Sequence, residues 1–121
     1  MTINRRRFLK TTAGTILAAP ALMNGALASN HGPIKFVSIL DQSGGLDIYG
    51  KPMVDATKMA IDEMNEAGGL LGRKIDLKVY DPQSSIQFYT QFATQATAGD
   101  RADVVHAGIT SASREAIRPT F

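Results

Sequence analysis

From Ile34 onward the apolar positions change period several times, and each change marks an element. Ile34 to Leu40 is almost continuously apolar and reads as a strand buried on both faces. Asp41 to Tyr49 is a glycine-containing loop. Pro52 suits the first turn of a helix, where its missing N–H costs nothing. Met53, Thr57, Ala60, Met64 and Ala67 then share one side and Asp55, Lys58, Asp62 and Glu66 the other, which predicts a helix with the first set buried. Gly68-Gly69 ends it, because glycine accepts the left-handed conformation. A tight Leu70–Arg73 turn leads to Lys74–Tyr80. There Ile75, Leu77 and Val79 alternate with Lys74, Asp76 and Lys78, the pattern of a half-exposed strand near a sheet edge.

Asp81-Pro82 breaks this second strand, and Ser84 or Ser85 can cap the next helix. Ile86, Tyr89, Ala93 and Ala96 form its buried stripe, flanked by Phe88 and Phe92. No charged residue occurs between Pro82 and Gly99, and the segment carries several threonines, which are poor helix formers. Val104–Ala107 is a third short strand, Gly108–Ala112 a loop, and Ser113 begins another helix. The order β-α-β-α-β-α predicts an open parallel α/β sheet with helices on both faces. Three strands leave an open edge, and the last residues fall inside a helix, so the expectation is a fragment or truncated reading frame rather than a finished domain.

Residues 1–28 have a different character. Arg5, Arg6, Arg7 and Lys10 precede a short, small-residue apolar stretch, and Ala26-Leu27-Ala28 offers the small-x-small pattern of a signal-peptidase site, with Ser29 as first mature residue. The stretch is shorter than the roughly 20 apolar residues that span a bilayer. Arg5-Arg6, Arg7, Phe8, Leu9 and Lys10 resemble the twin-arginine export signal, Asn4 standing where Ser or Thr is usual. An ordinary secretory signal and a basic membrane-surface helix are the alternatives. With no cysteine in the chain there is no lipid anchor, disulfide or thiolate chemistry. The expected product is soluble in the periplasm, with residues 29–33 as a short leader and 34–121 as the folded part.

Charge sharpens this reading. The chain carries a net +2, but four of its 13 basic residues lie in the export segment. The nine that remain face 11 acidic residues, so no basic stripe is left to follow nucleic acid.

In open parallel sheets ligands bind outside the carboxyl ends of the strands, where strand order reverses. If the first strand is central, the loops at that point are Asp41–Gly50 and Gly108–Ser113. The first contains Ser43 and Tyr49. The second brings Thr110, Ser111 and Ser113 to a helix start, where hydroxyls and free N–H groups can hold a carboxylate or amide oxygen. Ser113 as a plain helix cap is the competing reading.

Other chemistry finds little support. Asp41–Asp47 lacks the dinucleotide Gly spacing, and there is no phosphate-binding lysine motif. His31 lies in the leader and His106 in an apolar strand, with no companion ligands, so no metal or other cofactor is expected. Asp81 reads as a turn former, and Asp41 and Asp47 as solvated loop residues. No nucleophile elbow surrounds a serine.

Ser43-Gly44, Tyr49-Gly50, Ala67–Ile75, Tyr80-Asp81 and Thr110–Arg114 resemble the type I periplasmic solute-binding proteins, in particular the branched-chain amino acid and the urea or short-chain amide binders. Asn65–Gly69 followed by Gly72-Arg73 is the most specific piece, and its role is structural. The resemblance covers Ile34–Phe121. It implies two α/β lobes closing on a small solute, delivery to ABC permease subunits in the inner membrane, and no enzymatic step. It also implies that Thr110, Ser111 and Ser113 contact the solute's polar head and Tyr49 its flank. The second lobe is absent from the sequence, so the choice among solutes stays open. A ligand-sensing ectodomain, an exported flavodoxin-like enzyme and a non-functional truncated product are the alternative readings.

Overall fold

The computed structural model describes residues 32–121. The readings at Arg5, Arg6, Phe8, Leu9, Lys10, Ala28, Ser29 and His31 lie outside the described residues. Three strands, β1 (Ile34–Ile39), β2 (Ile75–Tyr80) and β3 (Val104–Ala107), form a parallel sheet in the order β2-β1-β3. Ile34 stands opposite Ile75, and Ile39 opposite both Tyr80 and Ala107. The apolar run of β1 takes the centre, with Val37, Ser38 and Ile39 buried, and the alternating β2 takes an edge.

Helix α1 (Asp47–Glu66) covers one face, where Ile61 packs with Ile34, Ile75, Phe36 and Leu77. Helices α2 (Ile86–Thr94) and α3 (Ser111–Ile117) cover the other, where Tyr89, Ala93, Ala96 and Ile117 meet Val37 and Ile39. This is the open parallel sheet with helices on both faces that the element order implies.

Two expectations for α1 are corrected. The helix begins at Asp47, so Tyr49 and Gly50 lie in its first turn and Pro52 is internal. Gly50 makes this possible: a Cβ there would lie 1.9 Å from the Asp41 carbonyl oxygen, so only glycine lets the first turn pack on the end of β1. The buried face is also rotated. Gly50, Val54 and Ile61 are buried, whereas Met53, Ala60, Met64 and Ala67 are exposed. Gly50 and the β-branched Val54 and Ile61 are on the buried side, and the flexible Met53 and Met64 lie outside them.

At its other end α1 is tied to β2 by Asn65. Its amide donates to the Ile75 carbonyl at 2.9 Å and its side-chain oxygen accepts the Ile75 N–H at 2.8 Å, an imitation of strand pairing. Helix α2 holds two further corrections. Neither Ser84 nor Ser85 caps it through its side chain; Ser84 Oγ accepts the Leu46 N–H at 3.0 Å instead. Ile86 is exposed, while Tyr89, Ala93 and Ala96 form the buried stripe. The threonines are accommodated by bonding back to the helix: Thr90, Thr94 and Thr97 donate to the carbonyls of Ile86, Thr90 and Ala93. Such back-bonding loosens helical geometry, and after Thr94 the helix widens into a π turn over Gln95–Gly99.

Candidate functional site

Parallel pairing places the ends of β1, β2 and β3 along one edge, so the segments that follow them gather there. Each sequence-predicted site residue lies on this side, but they are not equally free. Tyr49 projects from the first turn of α1 and is 56% exposed. Thr110 is half-buried and Ser111 is exposed, both directly after β3.

The Gly108–Ser113 segment is shaped by its own hydrogen bonds. Gly108 has φ +83°, and a Cβ there would lie 2.4 Å from Arg114 Cγ, so the stem of Arg114 rests on bare backbone. Thr110 caps α3: its hydroxyl accepts the Ser113 N–H at 3.1 Å, while Ser113 Oγ accepts the Thr110 N–H at 3.1 Å and donates to the Thr110 carbonyl at 2.9 Å. This reciprocal cap satisfies donors the helix would leave open. It turns the Ser113 hydroxyl inward, where Ser113 is 1% exposed. The hydroxyl of Ser111 accepts from Arg114 Nη2 at 3.2 Å.

Ser43 is committed differently. Its hydroxyl donates to Asp81 Oδ2 at 2.7 Å, and its N–H to Asp81 Oδ1 at 3.2 Å. Asp81 also accepts the amides of Gln42 at 2.9 Å and Gln83 at 3.0 Å. The loop after β1 is thereby tied to the flank of β2, the side opposite β3. Burial pushes the Asp81 carboxyl upward, but the Ser43 hydroxyl and the amides of Gln42, Gln83 and Ser43 outweigh it, and the pKa lies below the ordinary aspartate value.

The solvated-loop reading of Asp41 is corrected: the residue is fully buried. One carboxyl oxygen accepts the Ser84 N–H, and the other accepts the Tyr89 hydroxyl at 3.0 Å. A buried carboxyl group needs such donors to offset its lost hydration. Asp41 and Asp81 therefore cross-brace the first two loops, each reaching from its own strand end into the other's loop. A weak signal for this exists in the sequence, because Asp41-Gln42-Ser43 and Asp81-Pro82-Gln83-Ser84 end the two strands alike. Asp47 is on the surface and pairs with Lys51 at 2.7 Å.

Tyr89 is nearly inaccessible, at 1% exposure. Burial and then the Asp41 carboxyl push its phenol well above the usual tyrosine value, while the Ile109 backbone amide and the Ser113 hydroxyl act the other way. On the α1 face, His106 is half-buried in a T-shaped contact with Phe36, centroids 6.3 Å apart, and Nδ1 lies 3.4 Å from Thr57 Oγ1. It packs as a sheet residue away from the loops. Among the described residues no three His, Cys, Asp or Glu side chains are grouped to hold a metal ion.

Comparison with known proteins fits this geometry. A structure of the branched-chain amino acid transporter substrate-binding protein of Streptococcus pneumoniae, in complex with isoleucine, superposes with a TM-score of 0.71 at 26% identity, over 73% of this chain and 25% of that one. An ABC-type branched-chain amino acid transporter from Rhodopseudomonas palustris gives 0.66 at 26%, over 72% and 24%. A fatty acid ABC transporter substrate-binding protein from Thermomonospora curvata, at 24% identity, shares the fold with a TM-score of 0.61 over 73% and 22%. The chain thus spans about a quarter of the length of these proteins. Comparison with curated protein sequences gave no match. The profile of the periplasmic binding protein family matches residues 33–121, nearly all of the described fold, and the chain belongs to that family.

Proposed function

We propose that residues 34–121 are the first part of the N-terminal lobe of a periplasmic solute receptor and form one wall of its binding cleft. The receptor feeds an ABC importer. Its solute is a small polar metabolite of the branched-chain amino acid, urea or short-chain amide class. Thr110 and Ser111 offer hydroxyls to the polar head and Tyr49 offers a flat flank, while a second lobe closes the cleft and a permease in the inner membrane takes up the cargo. No bond is made or broken. The twin-arginine machinery exports the chain.

The observation that carries this reading is the position of Ser111. Its exposed hydroxyl stands after β3, beside the central strand, at the reversal of strand order in the sheet β2-β1-β3. Two relatives at 26% identity are named for branched-chain amino acid transport, which supports that solute class, and the fatty acid relative shares only the fold.

The test uses the chain as it stands. Isotope-labelled protein is titrated with isoleucine, urea and acetamide, and amide NMR shifts are followed. A single wall cannot desolvate its ligand, so affinity is expected in the millimolar range, about −4 kcal/mol. The expected result is saturable shifts confined to Tyr49–Gly50 and Gly108–Ser113 with one of the three probes. Shifts with none of them, or shifts scattered over the surface, overturn the assignment.

A further inference from the structure

The chain between β2 and α2 is strained, and the solute-binding reading gives that strain no purpose. Gln83 and Ser84 lie side by side in the left-handed region, at φ +54° and +59°. Residues with a Cβ avoid this region, and such outliers persist only where their surroundings hold them. Here the holders are visible. The Gln83 N–H donates to Asp81 Oδ1 at 3.0 Å, and the Ser84 N–H donates to Asp41 Oδ1. Gly44 of the first loop, itself at φ +87°, packs against the pair. A Cβ there would lie 2.7 Å from the Gln83 carbonyl oxygen and 2.9 Å from Ser84 Oγ.

What the strained pair delivers is a hydroxyl. Ser84 Oγ accepts the Leu46 N–H at 3.0 Å, across 38 residues of sequence. Leu46 stands at the N-terminal cap position of α1, and no side-chain hydrogen bond of its own closes that cap. The Leu46 carbonyl accepts the N–H groups of Tyr49 and Gly50, each at 3.0 Å. A short chain of hydrogen bonds therefore runs from Ser84 through the Leu46 peptide to the backbone of Tyr49. Helix ends open locally more easily than helix interiors, so a fixed cap residue holds the first turn in place. Tyr49 is 56% exposed, so its ring has little packing to hold it and its backbone decides where it stands.

We propose that Ser84 is a positioning residue for the solute wall: its hydroxyl, presented by a strained left-handed turn, anchors Leu46 and through it the first turn of α1 that carries Tyr49. The purpose rests on the solute-binding reading, but the anchor itself is a property of the free chain.

Ser84→Gly in the full chain is the test. Glycine adopts the left-handed conformation freely and keeps the N–H that Asp41 accepts, so only the hydroxyl is lost. Amide hydrogen exchange is expected to run about tenfold faster at Leu46, Tyr49 and Gly50, with no change at Val54 and Ile61 further along α1 or at Val37 of β1. Unchanged exchange at Tyr49 and Gly50 overturns the proposal, even where Leu46 alone accelerates. Equal acceleration along α1 and β1 overturns it too, because that marks a general loss of stability. Should Ser84→Gly fail to fold, Ser84→Asn carries the test. Asparagine also enters the left-handed region, but its side-chain oxygen sits one bond further from the backbone and misses the Leu46 N–H. The same local acceleration is then expected, and its absence counts against the anchor.

A second arm titrates isoleucine, urea and acetamide into the unaltered chain and into Ser84→Gly. For the solute that the unaltered chain binds, at least about fivefold weaker apparent binding by the variant is expected. If none of the three binds either protein while Ser84→Gly still loosens only the first turn of α1, the solute reading fails and the anchor stands. If both proteins bind the same solute equally well, the positioning role fails and the solute reading stands.

Discussion

Asp81 shows how one side chain can hold a loop in place through its charge. Four donors converge on it, from Gln42, Gln83 and twice from Ser43. Its pKa is depressed in the folded chain, so the folded state binds the proton less readily than the unfolded one. The stabilisation is therefore fully present above the unfolded aspartate value, about 3.9, and is lost as pH falls through the lower folded value. Thermal melts followed between pH 6 and pH 2.5 should show Asp81→Asn losing less stability on acidification than the unaltered chain, while starting from a lower melting temperature at pH 6. Parallel curves for the two proteins would contradict this. Asp81 as a turn residue was legible from the proline that follows it. Asp41 was not, because its burial depends on Tyr89 and Ser84, more than 40 residues away, and no local pattern reports such a partner.

At the scale of elements, strand positions were readable because burial leaves a direct trace in apolar spacing. The continuous run of β1 and the alternation of β2 pointed to centre and edge, and the sheet has that order. Helix faces were harder. On α1 two apolar rows lie side by side, Met53-Ala60-Met64-Ala67 and Gly50-Val54-Ile61, and periodicity alone cannot rank them. What decides is the close approach at Gly50, visible only once α1 is seated on β1. Replacement of Gly50 by alanine puts a methyl group on the Asp41 carbonyl and is expected to cost about 1–3 kcal/mol despite alanine's better helix propensity. At about 4–8 °C per kcal/mol for a domain of this size, melting by circular dichroism should fall by at least several degrees. Gly45→Ala is the control, because nothing lies within 4 Å of a Cβ there, and it should melt within about 2 °C of the unaltered chain. Equal melting of all three proteins would mean that α1 does not begin where Gly50 places it.

At the scale of the whole molecule, fold and site followed from different kinds of information. Element order led to the parallel sheet, and the sheet gathers the segments that follow its strands on one edge, so the placement of Tyr49, Thr110 and Ser111 on that edge was legible. The inward turn of Ser113 and the commitment of Ser43 to Asp81 were not, because a hydroxyl's partner is settled only by tertiary packing. The proposed export address is independent of both. Arg5-Arg6 with Phe8, Leu9 and Lys10 resemble the twin-arginine signal, a pattern whose information lies in residue identity rather than in charge alone. Lysine keeps the charge of arginine but not the planar five-donor group, so Arg5→Lys with Arg6→Lys separates the two explanations. If the arginine pair is read as such, the double variant remains uncleaved in the cytoplasmic fraction while the parent chain reaches the periplasm cut after Ala28. If positive charge before an apolar stretch suffices, as for an ordinary secretory signal, both proteins are exported and processed alike, and the twin-arginine assignment falls without touching the solute wall.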